Sequence, residues 1–172
     1  MRLYTIGHST RSLADLIAAL KAHGVARVVD VRIAPASRRF PHFNADYLAA
    51  QMPAAGLDYA HLPALGGRRQ PEPKSRNLGW RNEGFRGFAD YMATGEFADG
   101  LRRLLALGRE KPSAVMCAEA DHRRCHRMLL ADAVTVRRIE VAHILDANRL
   151  LPHELTPFAR YQGGRLLYPV PE

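Results

Sequence analysis

Apolar residues along this chain fall into short runs of strand length that alternate with stretches of helical spacing. Residues 3–6 and the β-branched run 27–31 (RVVDV) predict two strands. Between them, Ser12 can cap a helix with apolar positions at Leu13, Leu16, Ile17 and Leu20, and Gly24 stops it. Two strands joined by a helix of this length form a right-handed crossover with parallel strands. Residues 44–54 predict a second helix, weakened near Pro53, and 58–62 a third strand. Helices are expected over 85–93 and 97–107, a fourth strand over 114–118, a helix over 125–136 and a fifth strand over 141–145. The alternation predicts an α/β protein: a three-layer, mostly parallel, Rossmann-like sheet flanked by helices, in a single domain over 1–172. The strand order is not legible. Two segments stand apart from the pattern. Residues 68–87 form a long basic loop or lid rich in Gly, Pro and Asn, and 150–172 form a C-terminal extension. No internal repeat or low-complexity tract interrupts the chain.

A chain of 172 residues, 47% of them apolar, has the material for one sizeable core and is not disordered. Its two cysteines, with seven residues between them, make no disulfide framework and suit a reducing cytosol. The opening MRLYTIGHST lacks the apolar core of a signal peptide, and no run approaches the roughly 18 apolar residues of a membrane span. The expectation is a cytoplasmic protein with no membrane partner. The net charge of +8 favours anionic partners. Half of that excess falls in 68–87, where Arg68, Arg69, Lys74, Arg76, Arg81 and Arg86 face only Glu72 and Glu83.

Chemistry-bearing residues collect where the strands should end. The first strand runs into Gly7, His8, Ser9 and Thr10, and the second is followed by Asp30, Arg32, Pro35, Ser37 and Arg38. The third leads to His61, Gly66 and Gly67, the fourth to Cys117 and Glu119, and the fifth carries His143. In a parallel sheet those ends share one edge, where ligands bind. Gly7–Thr10 precedes a helix, so its backbone can approach an anion, although it is neither a Walker loop nor a dinucleotide fingerprint. Arg32 and Arg38 suit bidentate recognition of phosphate or carboxylate. Asp30 can orient Arg32, bind a ribose hydroxyl or act as a base. Glu119 is the candidate nucleophile or general base.

The densest stretch is 115–127, VMCAEADHRRCHR, which holds both cysteines. Cys125 at a helix start beside arginines can be a reactive thiolate, and Cys125 or His126 can assist Glu119. Cys117, Cys125, His122 and His126 also offer metal-ligand atoms. Their order matches no standard zinc spacing, and adjacent Cys125 and His126 would point about 100° apart on a helix. No metal site is therefore expected, and no cofactor can be named. In the basic loop, Arg68, Arg69, Arg76 and Arg81 alternate with Trp80 and Phe85, a pattern suited to single strands or flipped bases.

Taken together, TIGHST, VDVR-x2-P-x-SR, LPALGG and CAE-x-D-x3-CHR resemble the bacterial and archaeal family known as domain of unknown function 488, from Thr5 to about Ile144. The resemblance covers Gly7, His8, Ser9, Asp30, Arg32, Pro35, Ser37, Arg38, Gly66, Gly67, Cys117, Glu119, Cys125, His126 and Arg127. It implies a three-layer α/β domain and brings no reaction with it.

Three functional readings follow. In the first, the protein is an enzyme acting on a phosphate-bearing ligand such as a nucleotide or a nucleic-acid base. Its catalytic residues would be Glu119, Cys125, His126 and Asp30. Its ligand-binding residues would be His8, Ser9, Thr10, Arg32, Ser37, Arg38, Gly66, Gly67 and Arg127. In the second, the same residues form a non-catalytic nucleotide- or nucleic-acid-binding module. In the third, Cys117 and Cys125 serve metal- or thiol-dependent redox chemistry.

Overall fold

The computed structural model describes residues 1–171. Glu172, the last residue of the predicted extension, lies outside the described residues. In chain order the elements are β1 (Arg2–Gly7), α1 (Leu13–Ala22), β2 (Arg27–Asp30), α2 (Ala45–Ala54) and β3 (Asp58–His61). They continue through α3 (Glu83–Tyr91), α4 (Gly95–Glu110), β4 (Ser113–Cys117), α5 (Arg127–Thr135) and β5 (Glu140–Asp146). Three short strands follow: β6 (Arg149–Pro152), β7 (Arg160–Gln162) and β8 (Arg165–Leu167).

The main sheet runs β3-β2-β4-β1-β5-β6. All its neighbours are parallel except β5 and β6, which pair antiparallel. The β7–β8 hairpin stands apart as a second sheet. Alternation along the central strands splits the core in two, because successive side chains of a strand point to opposite faces. Val28, Ala114, Met116 and Ile144 pack with Leu16 and Leu20 of α1 and Leu48 and Met52 of α2. Leu3, Val29, Val115 and Val141 pack with Phe88 of α3, Leu101 and Leu104 of α4 and Leu129 and Leu130 of α5.

The caps follow local chemistry. Ser12, Asn82 and Thr94 accept hydrogen bonds from Asp15 N, Phe85 N and Phe97 N at the starts of α1, α3 and α4. The helix predicted from 125 begins only at Arg127. Asp121 accepts from Arg123 N and nucleates a short 3-10 turn over His122–Arg124, which leaves Cys125 extended (φ −131°, ψ 145°).

This topology sets the position of the site. Helix α1 leaves β1 toward one face of the sheet, and α5 leaves the adjacent β4 toward the other. The carboxyl ends of β1 and β4 therefore flank a crevice, the usual ligand position in open α/β sheets.

Candidate functional site

The two strands meet closely at that crevice. Gly7 is in register with Cys117, and the chains stay paired one step further through His8 N to Cys117 O (2.9 Å) and Ser9 N to Ala118 O (2.9 Å). A Cβ on Gly7 would collide with the Glu119 carbonyl oxygen, so only glycine permits this approach. Ser9 then takes a left-handed conformation (φ 47°).

A pocket of about 590 Å³ opens above these ends. His8, Ser9 and Thr10 line it together with Cys117 and Glu119. Arg32 and Ser37 come from the segment after β2, Gly67 and Arg68 from the segment after β3, and His126 from the start of α5. Glu119 is exposed and is the one carboxylate among the lining residues, facing two arginines.

Arg32 is held by its surroundings. Its Nε and Nη2 donate to the two oxygens of Asp30 (2.9 and 2.6 Å), Nη2 also to Phe43 O (2.7 Å) and Nη1 to His8 Nε2 (3.2 Å). Of the five guanidinium hydrogens, one on Nη1 remains for a ligand. Asp30 is fully buried and also accepts from Arg32 N and Tyr59 OH, so it orients Arg32 and does not reach the pocket as a base. Burial, then the Arg32 charge, push the His8 imidazole down to about 4. His8 is thus neutral at physiological pH, with Nδ1–H donating to Ser9 O (3.0 Å) and Nε2 accepting from Arg32.

At the wall of the pocket, Cys117 Sγ, Cys125 Sγ and a ring nitrogen of His126 lie within 4.8 Å of one another. The Cys117 thiol donates to the Cys125 sulfur, which holds Cys125 well below the usual thiol range and pushes Cys117 up. His126 Nε2 faces the Leu65 carbonyl at 3.1 Å, and Nδ1 faces Cys125 Sγ at 3.7 Å. Cys125 precedes the helix, so the divergence of about 100° expected of adjacent helical positions does not separate it from His126.

Other expected residues lie elsewhere. Arg127 is buried and absent from the pocket wall. It donates to Cys125 Sγ (3.3 Å), Thr5 Oγ1 (3.3 Å) and Glu119 O, so it ties β4, β1 and α5 together. Arg38 is exposed outside the pocket wall, and Gly66 is buried beneath it. Of the loop residues, only Arg68 reaches the pocket. Arg69 lies over the Tyr91 ring at 3.7 Å, and Arg81 is exposed away from the pocket wall. Arg76 lines a separate cavity with Lys74, Arg137 and Arg165. The expectation that Trp80 offers a face to a base gives way to packing. Its ring meets Phe85, Phe158 and Tyr168 at 4.9–5.5 Å between centroids, where the C-terminal extension covers it.

His143 sits within β5, not at the edge, and belongs to a buried chain the sequence did not signal. Thr5 Oγ1 meets His143 Nδ1 (2.7 Å), His143 Nε2 meets His153 Nδ1 (2.9 Å), and His153 Nε2 meets Asp132 Oδ1 (2.9 Å). One proton assignment satisfies every link: Arg127 donates to Thr5, Thr5 to His143, His143 to His153 and His153 to Asp132. Burial keeps His143 uncharged, pushed down to about 2.

No described helix is long and apolar enough to cross a membrane. Comparison with curated proteins and with solved structures gives no match to the chain. The model of one protein family, described as domain of unknown function DUF488, matches residues 12–134, which take in β1's following helix, both arginine-bearing loops, β4 and most of α5. The chain belongs to that family.

Proposed function

We propose that the protein is an enzyme acting on a small phosphate-bearing ligand, of nucleotide size, bound in the crevice between β1 and β4. The observation that carries this reading is the pair of arginines in the pocket wall, the exposed Arg68 and an Arg32 whose Asp30-held guanidinium keeps one Nη1 hydrogen for a ligand. The volume of about 590 Å³ lies within the range of small-molecule sites. Arg68 replaces Arg38 as the partner of Arg32. The exposed Arg68 meets the incoming phosphate, and the remaining Nη1 hydrogen of Arg32 supplies a fixed donor. Ser9 and Thr10 add hydroxyl groups at the start of the segment leading to α1. Glu119, in the same pocket wall, acts as general base or nucleophile toward the remainder of the ligand.

Calorimetric titration with a nucleoside and its 5′-monophosphate tests this. The reading predicts binding of the monophosphate, at least about tenfold weaker binding of the nucleoside, and a similar loss for the monophosphate in Arg68→Ala. Equal affinity for both compounds would overturn it.

A further inference from the structure

We propose that Cys117, Cys125 and His126 form a three-ligand site for a thiophilic divalent metal ion of the zinc type, with its fourth position facing the crevice. This goes beyond the ligand-binding reading and holds whichever ligand fills the pocket.

Three features carry the proposal. The first is distance. The three donor atoms lie within 4.8 Å of one another, although seven residues lie between the two cysteines, Cys117 closing β4 and Cys125 following the 3-10 turn ahead of α5. A tetrahedral zinc with bonds of about 2.3 Å to sulfur and about 2.0 Å to nitrogen separates those two ligands by about 3.5 Å. Cys125 Sγ and His126 Nδ1 are already 3.7 Å apart.

The second is the histidine tautomer. The Leu65 carbonyl can only accept, so His126 Nε2, 3.1 Å away, carries the proton. That leaves the Nδ1 lone pair directed at the sulfurs. A backbone carbonyl on the far nitrogen is the outer-shell partner that metal-bound histidines use. Arg127 Nε, 3.3 Å from Cys125 Sγ, is a second outer-shell donor, directed at a sulfur.

The third is access. A Cβ on Gly67 would come within 2.8 Å of His126 Nδ1, so glycine keeps this atom uncovered. Cys117, His126 and Gly67 all line the crevice, while Cys125 is buried behind them. Three protein ligands with one position open to a ligand pocket is the arrangement of a catalytic zinc site rather than a closed structural one. A mixed Cys2His set selects zinc or cobalt over magnesium and calcium, which take oxygen ligands.

The test is titration of the full chain, held reduced by a phosphine, with Co(II), followed by back-titration with Zn(II). The proposal predicts one equivalent of cobalt, thiolate-to-cobalt charge-transfer absorption, the intense visible bands of a tetrahedral ion, and their loss on adding zinc. Cys117→Ser and Cys125→Ser should each weaken cobalt binding by at least about tenfold. Because removing the buried Cys125 can disturb folding, Gly67→Ala gives an independent reading. It retains all three ligands, crowds Nδ1, and should weaken cobalt binding with the circular dichroism unchanged. Absence of charge-transfer absorption in the wild-type chain would overturn the proposal and leave thiol–imidazole hydrogen bonds alone. So would absorption that survives removal of both cysteines. Neither result depends on nucleotide binding, so this proposal and the ligand reading fail separately.

Discussion

Asp30 grips Arg32 from two residues back in the chain, Oδ1 on Nε at 2.9 Å and Oδ2 on Nη2 at 2.6 Å, with the carboxylate fully buried. This pair is what makes Arg32 a fixed donor instead of a mobile surface cation. Asp30→Asn leaves a buried guanidinium without its counter-charge and is expected to cost about 3–5 kcal/mol of stability. Chemical denaturation checks it, and a loss under about 1 kcal/mol would show that Arg32 finds another partner.

The two strands that flank the crevice tolerate no side chain at Gly7. Gly7→Ala forces the Cβ against the Glu119 carbonyl, a backbone atom that cannot rotate away. The expected cost is about 3 kcal/mol, at the upper end for overpacking. A variant as stable as the parent in urea would mean that the β1–β4 ends are looser than described.

Stability should fall on mild acidification. Burial holds His143 near 2 and His8 near 4, against an ordinary value of 6.5. Above pH 6.5 both rings are neutral whether the chain is folded or not, and this contribution is complete. Below 6.5 the unfolded chain takes up protons that the folded one refuses, so stability declines by up to about 1.4 kcal/mol per pH unit for each ring. The decline continues to about pH 4 for His8 and to about pH 2 for His143. Denaturation midpoints between pH 6.5 and 5, before most carboxylates titrate, measure it. His143→Gln should flatten the slope, and a flat profile in the parent would contradict the buried neutral rings.

Glu119 separates an enzyme from a binding module. Its side chain lines the pocket, and its carboxylate touches only Asp121 N (3.3 Å) among the described residues. Glu119→Gln should therefore preserve fold and ligand affinity while abolishing complementation of a deletion strain. Full complementation would favour a non-catalytic module.

The five parallel strands and five helices were legible because short apolar or β-branched runs alternate with stretches of helical spacing, the first helix also marked by its Ser12 cap and by Gly24. Convergence of Gly7–Thr10, Arg32 and Glu119 followed from the parallel sheet alone. The 121–126 segment was not legible as a turn. Its charged residues carry no periodicity, and one Asp121 cap converts the expected helix start into an extended Cys125. Arg68 and Arg38 look alike in sequence, and only the fold places one over the pocket and the other outside it. Trp80 read as a stacking platform because its partners Phe158 and Tyr168 lie almost eighty residues or more away. The Thr5–His143–His153–Asp132 chain likewise joins four segments through atoms that no local pattern announces.

Phosphate binding between β1 and β4 is read directly by amide chemical-shift mapping during titration with a nucleoside monophosphate. The largest shifts are expected at Ser9, Thr10, Gly67, Arg68 and residues 118–120, which line the crevice. Shifts centred instead on Lys74, Arg76 and Arg165, around the second basic cavity, would contradict it, as would no shifts at all.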